Sequence, residues 1–318
     1  MAKNSSGSII WSWHIWVSDA DLAALAVNSG DASAPYHILP RALGSVTDGT
    51  ESLNGYQEGL ARVKAVQRGG TASVEFLLRR KGKTYWTADK TYVPLYQWGR
   101  KDPFLPHKVD DSGQYVARAA SDYCVASGAS AFATQAVGRN TQYGLAWAAA
   151  NPTVFGLRVT TSGSANDRWY CEEISTNTRA NYRNLWNAAA TTDAEGTNDI
   201  TYRAVVKTVY DPCPPGFCVP AAIFSNIEGM PNPELSGQFL KNVYNLNGND
   251  TEYRFSVYPS RNRDDGSFQG SPTNSSPHMW LAEYSSNDFA GWYFAPKSNM
   301  NSGMANAFHI IPMADTTP

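Results

Sequence analysis

Alternating apolar and polar residues first appear near the start of the chain, in the run IIWSWHIWV at residues 9–17. The alternation puts Ile9, Trp11, Trp13, Ile15 and Val17 on one face of a predicted strand, and Ile10, Ser12, His14 and Trp16 on the other. A strand this aromatic requires cover on one face and partial cover on the second. His14 falls on the mixed face, where a hydrogen-bonded structural role is more typical than a catalytic one.

The last quarter of the chain repeats the strand-type pattern, now interrupted by Ser- and Asn-rich connections. The pattern predicts short strands at residues 256–258, 279–284, 292–295 and 308–311. The pair Asp265-Gly266 indicates a turn between the first two of them. Loops carried on a rigid sheet are where binding function usually lies. We therefore expect a binding region in this quarter, although a solvated meander with adaptable turns would show the same composition.

Composition and charge narrow the classes of protein. Hydrophobic residues make up 42% of the 318 residues and charged residues 17%, which is typical of an ordered globular chain. Abundant Gly, Pro, Trp and Tyr favour short strands and turns over helical bundles. A net charge of −2 gives no electrostatic footprint for nucleic acid or an anionic membrane. The sequence contains no run of eighteen apolar residues, so it predicts no membrane-spanning helix.

The residue types that carry catalysis do not form a recognisable set. Arg100 and Asp102 are close enough to pair, but without a nucleophile or base they indicate scaffold. The four cysteines lack histidines at a zinc spacing, so we expect no metal and no cofactor. A disulfide between Cys213 and Cys218 requires the intervening loop to double back, and the pairing stays open. The sequence therefore predicts no enzyme.

Several ordered blocks of sequence resemble one family of bacterial surface proteins. The blocks are YVPLYQWGRKDPF (92–104), KTVYDPCPPGFCVP (207–220), YPSRNRDDGSF (258–268), HMWLAEYSSNDFAGWYF (278–294) and NAFHIIPM (306–313). They are similar to the Bacteroidetes fimbrillin-like proteins, also described as the Fibrobacter-type major paralogous domain. The same domain resembles the variable proteins of diversity-generating retroelements in bacteria and phages. Where that family has Gly and Arg-Cys in its final strand, this chain has Ala307 and Ile311-Pro312, so the family's usual cysteine partner is missing.

The resemblance implies an α+β, C-type-lectin-like fold that is rich in strands and loops and has an elaborated N-terminal part. Residues 1–8 are expected to be a disordered segment or linker, and residues 9–318 a single ligand-binding domain. Within it, residues 47–89 form an insertion with a hairpin of strands 60–66 and 74–78, and residues 253–318 form the variable binding region. Independently of the resemblance, Trp98, Tyr210, Pro215 and Trp280 each lie in a run whose apolar spacing needs a core, so we expect them to be buried framework.

The implied function is ligand binding of the adhesin or receptor-recognition type, with a hypervariable C-terminal surface diversified by a retroelement. The alternative is a structural pilus subunit without a hypervariable site. The expected ligand is a protein or glycan on another cell or host surface, and pilus or virion subunits are further expected partners. The residues expected to bind ligand are His278, Glu283, Tyr284, Asn287, Asp288, Phe289, Asn299, Met300, Asn301, Met304 and Asn306.

Two locations fit this function. The N-terminal residues are polar and lack the apolar segment of a signal peptide. Either the chain is a mature domain of a cell surface or pilus protein without its export signal, or it is a phage virion protein, which needs none.

Overall fold

The computed structural model describes somewhat more than half of the chain, and every structural statement below concerns those residues. They are 1–17, 25–27, 36–39, 42–48, 59–66, 73–80, 90–105, 107–109, 115–117, 133–138, 144–161, 164–166, 169, 185–189, 205–221, 234–236, 239–246, 249–256, 260–269, 279–285, 290–295, 298–303 and 305–315.

The described residues are rich in short strands and contain one short helix. The strands are β1 Ala2–Lys3, β2 Ile9–Trp11, β3 Leu25–Val27, β4 Tyr36–Ile38, β5 Val46–Asp48, β6 Gly59–Val66, β7 Ser73–Arg80, β8 Lys90–Tyr92, β9 Tyr96–Gln97, β10 His107–Val109, β11 Tyr115–Ala117, β12 Ala133–Gly138, β13 Val154–Thr161, β14 Ser164–Asn166, β15 Phe217–Cys218, β16 Glu234–Ser236, β17 Phe239–Leu246, β18 Asn249–Ser256, β19 Ser260–Arg261, β20 Phe268–Gln269, β21 Met279–Ser285, β22 Ala290–Ala295, β23 Ser298–Gly303, β24 Ala307–Phe308 and β25 Met313–Ala314. The helix α1 is Leu145–Ala150. This secondary structure agrees with the expected strand-rich fold class.

Small sheets, most of them antiparallel, organise these strands. Two have four strands, in the orders β15-β25-β4-β3 and β20-β19-β24-β9. Three have three strands: β12-β13-β14, in which β12 and β13 are parallel, β16-β17-β18 and β21-β22-β23. The hairpin predicted at residues 60–66 and 74–78 is confirmed, because β6 pairs with β7 along its whole length. That residues 47–89 form an insertion stays a prediction.

Four tryptophans are the largest fully buried side chains of the core. Trp98, Trp169, Trp186 and Trp280 have no exposed surface. The rings of Trp98 and Trp186 are 5.4 Å apart between centroids. Aromatic side chains of this size bury much apolar area per residue, so a chain made of very short strands still acquires a continuous core.

The N-terminal and C-terminal parts of the chain lie together. The Leu43 N–H donates to the Ile310 carbonyl at 2.8 Å, and the Leu39 N–H donates to the Pro312 carbonyl at 2.8 Å. Strand β25 pairs with β4. His14 is hydrogen-bonded to the Tyr96 hydroxyl, in the strand that pairs with β24.

The N-terminal segment differs from its prediction in two respects. Residues 1–8, expected to be a linker, contain β1, which pairs with β2. The predicted strand 9–17 ends at Trp11. Beyond that point the alternation persists, but Trp13 on its apolar face is 62% exposed and Ser12 on its mixed face is buried.

The polar atoms of the mixed face explain this orientation. The hydroxyl of Ser12, the ring of His14 and the indole N–H of Trp16 are hydrogen-bonded to Asp102, Tyr96 and the Ser45 carbonyl, respectively. Polar atoms that are removed from water need such partners, so they turn the mixed face inward and the apolar face outward.

The other predicted elements agree with the structure to different degrees. Predicted strands 279–284 and 292–295 lie within β21 and β22, and predicted strand 308–311 contains only the end of β24. Of 256–258, Ser256 ends β18 and the rest lies outside the described residues. Helix α1 was not predicted.

Candidate ligand-binding site

The predicted binding region contains a three-stranded antiparallel sheet. Strand β22 is central and pairs with β21 on one side and β23 on the other. The register of β21 shifts between Trp280 and Tyr284, which indicates a bulge. Bulges are common beside functional sites, where they change the direction of a strand.

The first half of β21 is fixed in the core by hydrogen bonds from three other segments. The Trp280 N–H donates to the His309 carbonyl at 3.0 Å, and the Ala282 N–H donates to the Pro220 carbonyl at 2.8 Å. The indole N–H of Trp98 donates to the Leu281 carbonyl at 3.0 Å. Because each bond comes from a different segment, the position of this strand is strongly determined.

The Trp280 side chain adds a fourth attachment. Its indole N–H donates to the Tyr96 carbonyl at 2.6 Å, and its ring lies 4.4 Å from the Phe308 ring between centroids. The prediction that Trp98 and Trp280 are buried framework is confirmed. Tyr210 is only partly buried, and Pro215 is exposed. The prediction is wrong for Pro215, because this residue lies at the tip of a turn.

Gln97 connects the predicted binding region to the centre of the protein. Its amide nitrogen donates to the carbonyls of Gly156 and Ala305, both at 2.7 Å. Its amide oxygen accepts from the Gly156 N–H at 3.2 Å and from Arg100 at 3.3 Å. This amide, which has no exposed surface, is therefore hydrogen-bonded at both ends and fixes the chain next to Asn306.

Arg100 supports Gln97 and does not form the predicted pair with Asp102. Its guanidinium donates to the carbonyls of Val154 at 2.7 Å and Asn151 at 3.0 Å. Burial lowers the pKa of Arg100 to about 10. The side chain satisfies its charge with backbone carbonyls and the faces of Phe104 and Trp169, as a planar guanidinium can.

Asp102 is held by its neighbour Lys101 instead. The Lys101 ammonium is 2.7 Å from one carboxylate oxygen of Asp102 and 2.8 Å from the other. It also donates to the Ser12 hydroxyl at 2.6 Å, and that hydroxyl donates to Asp102 at 2.5 Å. Burial lowers the pKa of Lys101, and Asp102 opposes this shift. The cluster therefore attaches the N-terminal segment at Ser12 to residues 101 and 102.

A small cavity lies beside this cluster. It is lined by residues that include Arg100, Asp102, Trp169 and Tyr210, and it has a volume of about 10 Å³. That is about the space of one water molecule. The cavity therefore does not accommodate a ligand of substrate size.

Asp211 organises the segment that supports β21 from the other side. Its carboxylate accepts from the Lys207 ammonium at 2.5 Å and from the N–H groups of Cys213 at 2.8 Å and Val219 at 2.9 Å. Burial raises the pKa of Asp211, and Lys207 opposes the rise. These bonds fix the chain that leads to Pro220, whose carbonyl holds Ala282.

The predicted Asp-Gly turn is present between β19 and β20. The Asp265 carboxylate accepts from the N–H and the hydroxyl of Ser267 at 2.8 and 2.7 Å. These hydrogen bonds lower the pKa of Asp265. Gly266 has a φ of +73°, which favours glycine at this position. The sequence therefore identified both the turn and the residues that form it.

Six of the eleven residues predicted to bind ligand lie among the described residues. Glu283 and Tyr284 lie in β21, and Asn299, Met300 and Asn301 lie in β23. The two strands flank β22, so the structure brings these five residues into one sheet. The remaining predicted positions His278, Asn287, Asp288, Phe289 and Met304 lie outside the described residues.

Asn306 is half-buried and already has a structural partner. Its side-chain oxygen accepts from the Arg263 N–H at 3.0 Å. This bond connects β24 to the Asp-Gly turn. Its predicted role in ligand binding stays a prediction.

Sequence reasoning missed Gln97 and Asp211 as organising residues. Gln97 stands between Tyr96 and Trp98, two aromatic residues that are completely buried. A polar residue in such a run needs internal partners, and this signal could have identified it. Asp211 gave no comparable signal, because Asp-Pro is an ordinary turn sequence.

Comparisons with models of protein families, with curated proteins and with solved structures found no match to this chain. Within the described ranges, no helix is long and apolar enough to cross a membrane. The same residues contain no group of three or more His, Cys, Asp or Glu side chains that could hold a metal ion.

Proposed function

We propose that this chain is a ligand-binding surface or virion protein of C-type-lectin-like fold, of the adhesin or receptor-recognition type. Its binding surface is the β21–β23 sheet with the loops that connect it. The ligand is a protein or a glycan on another cell or host surface. The positions that contact it are the eleven predicted residues, which a retroelement diversifies.

One observation carries this proposal: a rigid support leads directly into the predicted binding strand. The first half of β21, up to Ala282, is buried and hydrogen-bonded to three other segments. The same strand continues into Glu283 and Tyr284. A binding surface that is already held in place loses less conformational entropy when a ligand binds. The support can also tolerate many side chains on the strand beyond it.

The connection between the two ends of the chain supports the proposed fold. The hydrogen bond from Leu43 to Ile310 and the pairing of β4 with β25 join the N-terminal and C-terminal parts. Closure of the ends is expected of a C-type-lectin-like domain. The retroelement proposal rests on the resemblance and on the number of Asn residues among the predicted positions, because changes at the adenines of an Asn codon give many other residues.

The proposal is tested with the triple variant Tyr284→Ala, Phe289→Ala, Asn301→Ala. We expect it to lose binding to Bacteroidetes cells, measured by flow cytometry, and to a glycan array. Its melting temperature is expected to stay close to that of the parent. Aromatic residues and Asn are efficient at binding surfaces, because aromatics offer large contact area and Asn adapts its hydrogen bonds.

A matched control changes exposed residues far from β21 in sequence: Ile10→Ala, Val206→Ala, Val209→Ala. Ile10, Val206 and Val209 are 55%, 41% and 66% exposed. The control is expected to bind as the parent does. The proposed site is incorrect if the first triple variant unfolds, or if it binds both probes as well as the parent.

A specific observation also favours the second candidate, a structural pilus or virion subunit. Trp13, Ile15 and Val17 are exposed by 62%, 42% and 48% on one face of the N-terminal segment. Large apolar side chains in succession are usually covered when a protein assembles. Sedimentation of the parent and of Trp13→Ser over a range of concentrations separates the two candidates. Assembly that Trp13→Ser abolishes would support the structural subunit.

A further inference from the structure

Two buried cysteines lie on the two sides of a tight turn in residues 213–218. The Phe217 N–H donates to the Pro214 carbonyl at 3.0 Å and closes the turn. Gly216, in its third position, has a φ of +82°. Proline in the second position and glycine with positive φ in the third are typical of a type II turn. Cys213 and Cys218 are therefore the residues immediately outside a closed turn.

The two arms of the turn are held beside each other. The Asp211 carboxylate accepts from the Cys213 N–H with one oxygen and from the Val219 N–H with the other. On the second arm, Cys218 pairs with Met313 in the sheet. The turn brings the Cα atoms of its first and last residues, Pro214 and Phe217, within about 7 Å of each other, and Cys213 and Cys218 directly precede and follow these two residues. Disulfides require a Cα separation of about 4.4–6.8 Å.

Both sulfurs are reduced thiols in the structure, and both are shielded from solvent. Cys213 is 5% exposed and Cys218 is 1% exposed. Burial raises the pKa of Cys213 well above its usual value, and the Asp211 carboxylate and the Cys218 sulfur raise it further. Only the thiolate reacts with disulfides. In the folded protein the two thiols therefore lie near enough to influence each other's ionisation, and burial suppresses the thiolate of Cys213.

We propose that Cys213 and Cys218 form a disulfide across this turn, and that it forms before the segment is buried. The oxidant is a small-molecule disulfide of the glutathione type. One cysteine thiolate attacks it, forms a mixed disulfide and releases one glutathione thiolate. The second cysteine thiolate then attacks the protein sulfur of that mixed disulfide and releases the second glutathione. In total, the two cysteines lose two protons and two electrons, and the oxidant becomes two thiols. This modification does not depend on the proposed ligand-binding function.

The sequence makes the bond unambiguous to detect. Cleavage after Lys207 and Lys241 gives a tryptic peptide, 208–241, that contains Cys213 and Cys218 and neither of the other cysteines. Cys124 and Cys171 fall on two separate peptides, 119–139 and 169–179. A disulfide within peptide 208–241 therefore appears as the loss of two hydrogen atoms and the absence of alkylation in a single peptide.

The test compares two routes to the same oxidising buffer. The full chain is unfolded in urea with a reductant, then refolded in a mixture of reduced and oxidised glutathione. A second sample is folded in reductant first and then moved to the same mixture. Both are quenched, unfolded, alkylated and digested. We expect the internal disulfide in the refolded sample and a rate of formation at least about tenfold lower in the folded sample, because burial suppresses the thiolate.

Two variants serve as controls. Cys124→Ser, Cys171→Ser should retain the internal disulfide. Cys218→Ser should leave Cys213 as an alkylated thiol or as a mixed disulfide with glutathione, and should give no internal disulfide. Peptide 208–241 alkylated on both cysteines after oxidative refolding would overturn the proposal, as would its linkage to peptide 119–139 or 169–179. Equal rates in the folded and unfolded samples would overturn the order of oxidation and burial.

Discussion

Trp280 offers the clearest test of how the predicted binding region is supported. We consider the substitution Trp280→Ala. The side chain has no exposed surface and contacts Phe308, so its removal leaves a cavity in the core. Substitutions of buried Trp or Phe by Ala typically cost about 3–5 kcal/mol. We expect the free energy of unfolding to fall by that amount.

A second substitution, Trp280→Phe, separates the contribution of the indole hydrogen bond from that of the packing of the ring. Phenylalanine keeps an aromatic ring beside Phe308 but loses the indole N–H that donates to the Tyr96 carbonyl. Tyr96 has no exposed surface, so its carbonyl loses a partner that water does not replace. The net loss of a hydrogen bond typically costs about 0.5–1.5 kcal/mol. The remaining difference between the Ala and Phe variants measures the packing of the ring.

The assay is urea denaturation followed by far-UV circular dichroism, which does not depend on tryptophan fluorescence. Trp13→Ala is a matched control, since it makes the same chemical change at a residue that is 62% exposed. An exposed substitution of this kind changes stability by about 0.5 kcal/mol or less. If Trp280→Ala and Trp13→Ala cost the same, Trp280 does not support the sheet.

Two further predictions concern His14 and two glycines. The His14 pKa is lowered by burial from 6.5 to about 4, so the unfolded chain binds the extra proton between these values. We expect about 3 kcal/mol of the free energy of unfolding to be present above pH 6.5 and to be lost as the pH falls to 4. Urea denaturation of His14→Gln at several pH values is the test. If this variant keeps the same pH dependence, His14 is not its cause. Gly99 and Gly216 both have positive φ, but a Cβ on Gly99 would clash with Leu185 and a Cβ on Gly216 would meet nothing. Gly216→Ala should cost about 1–2 kcal/mol of stability through backbone strain alone. Gly99→Ala should cost more than that, because the clash with Leu185 adds to the strain. Equal losses for the two variants in the same assay would show that Leu185 moves away without cost.

Hydrophobic patterning predicted those elements whose burial depends on local sequence. Strand β21, the insertion hairpin and the buried positions of Trp98 and Trp280 follow from alternation and aromatic content. These features depend on the residues within each segment. For the same reason the Asp-Gly turn between β19 and β20 was predictable, because its hydrogen bonds connect neighbouring residues.

The predictions failed where distant partners decide the outcome. Trp13 belongs to the more apolar face of its segment but faces solvent, because Asp102 and Tyr96 hold the polar atoms of the opposite face. Arg100 binds carbonyls more than fifty residues further along the chain and leaves Asp102 to Lys101. Alternation shows which residues share a face, but only tertiary contacts determine which face is inside.

The same limit applies to the candidate binding site. The sequence predicted a set of positions near the end of the chain, and the structure brings five of them into β21 and β23. The sequence could not indicate how β21 is supported, because its hydrogen-bond partners are Trp98, Pro220 and His309, which lie in other segments of the chain.

The position of β25 has a consequence for how the chain folds during its synthesis. Strand β25 lies between β15 and β4 in its sheet and pairs with both. Strands β3 and β4 leave the ribosome early, yet they cannot join β15 until residues 313 and 314 have been translated. Contacts between residues so far apart in sequence form slowly and leave unpaired strand edges exposed in the meantime. Co-translational folding of this sheet therefore waits until residues 313 and 314 have been made, and a nascent chain stalled before residue 313 exposes strand edges that chaperones bind.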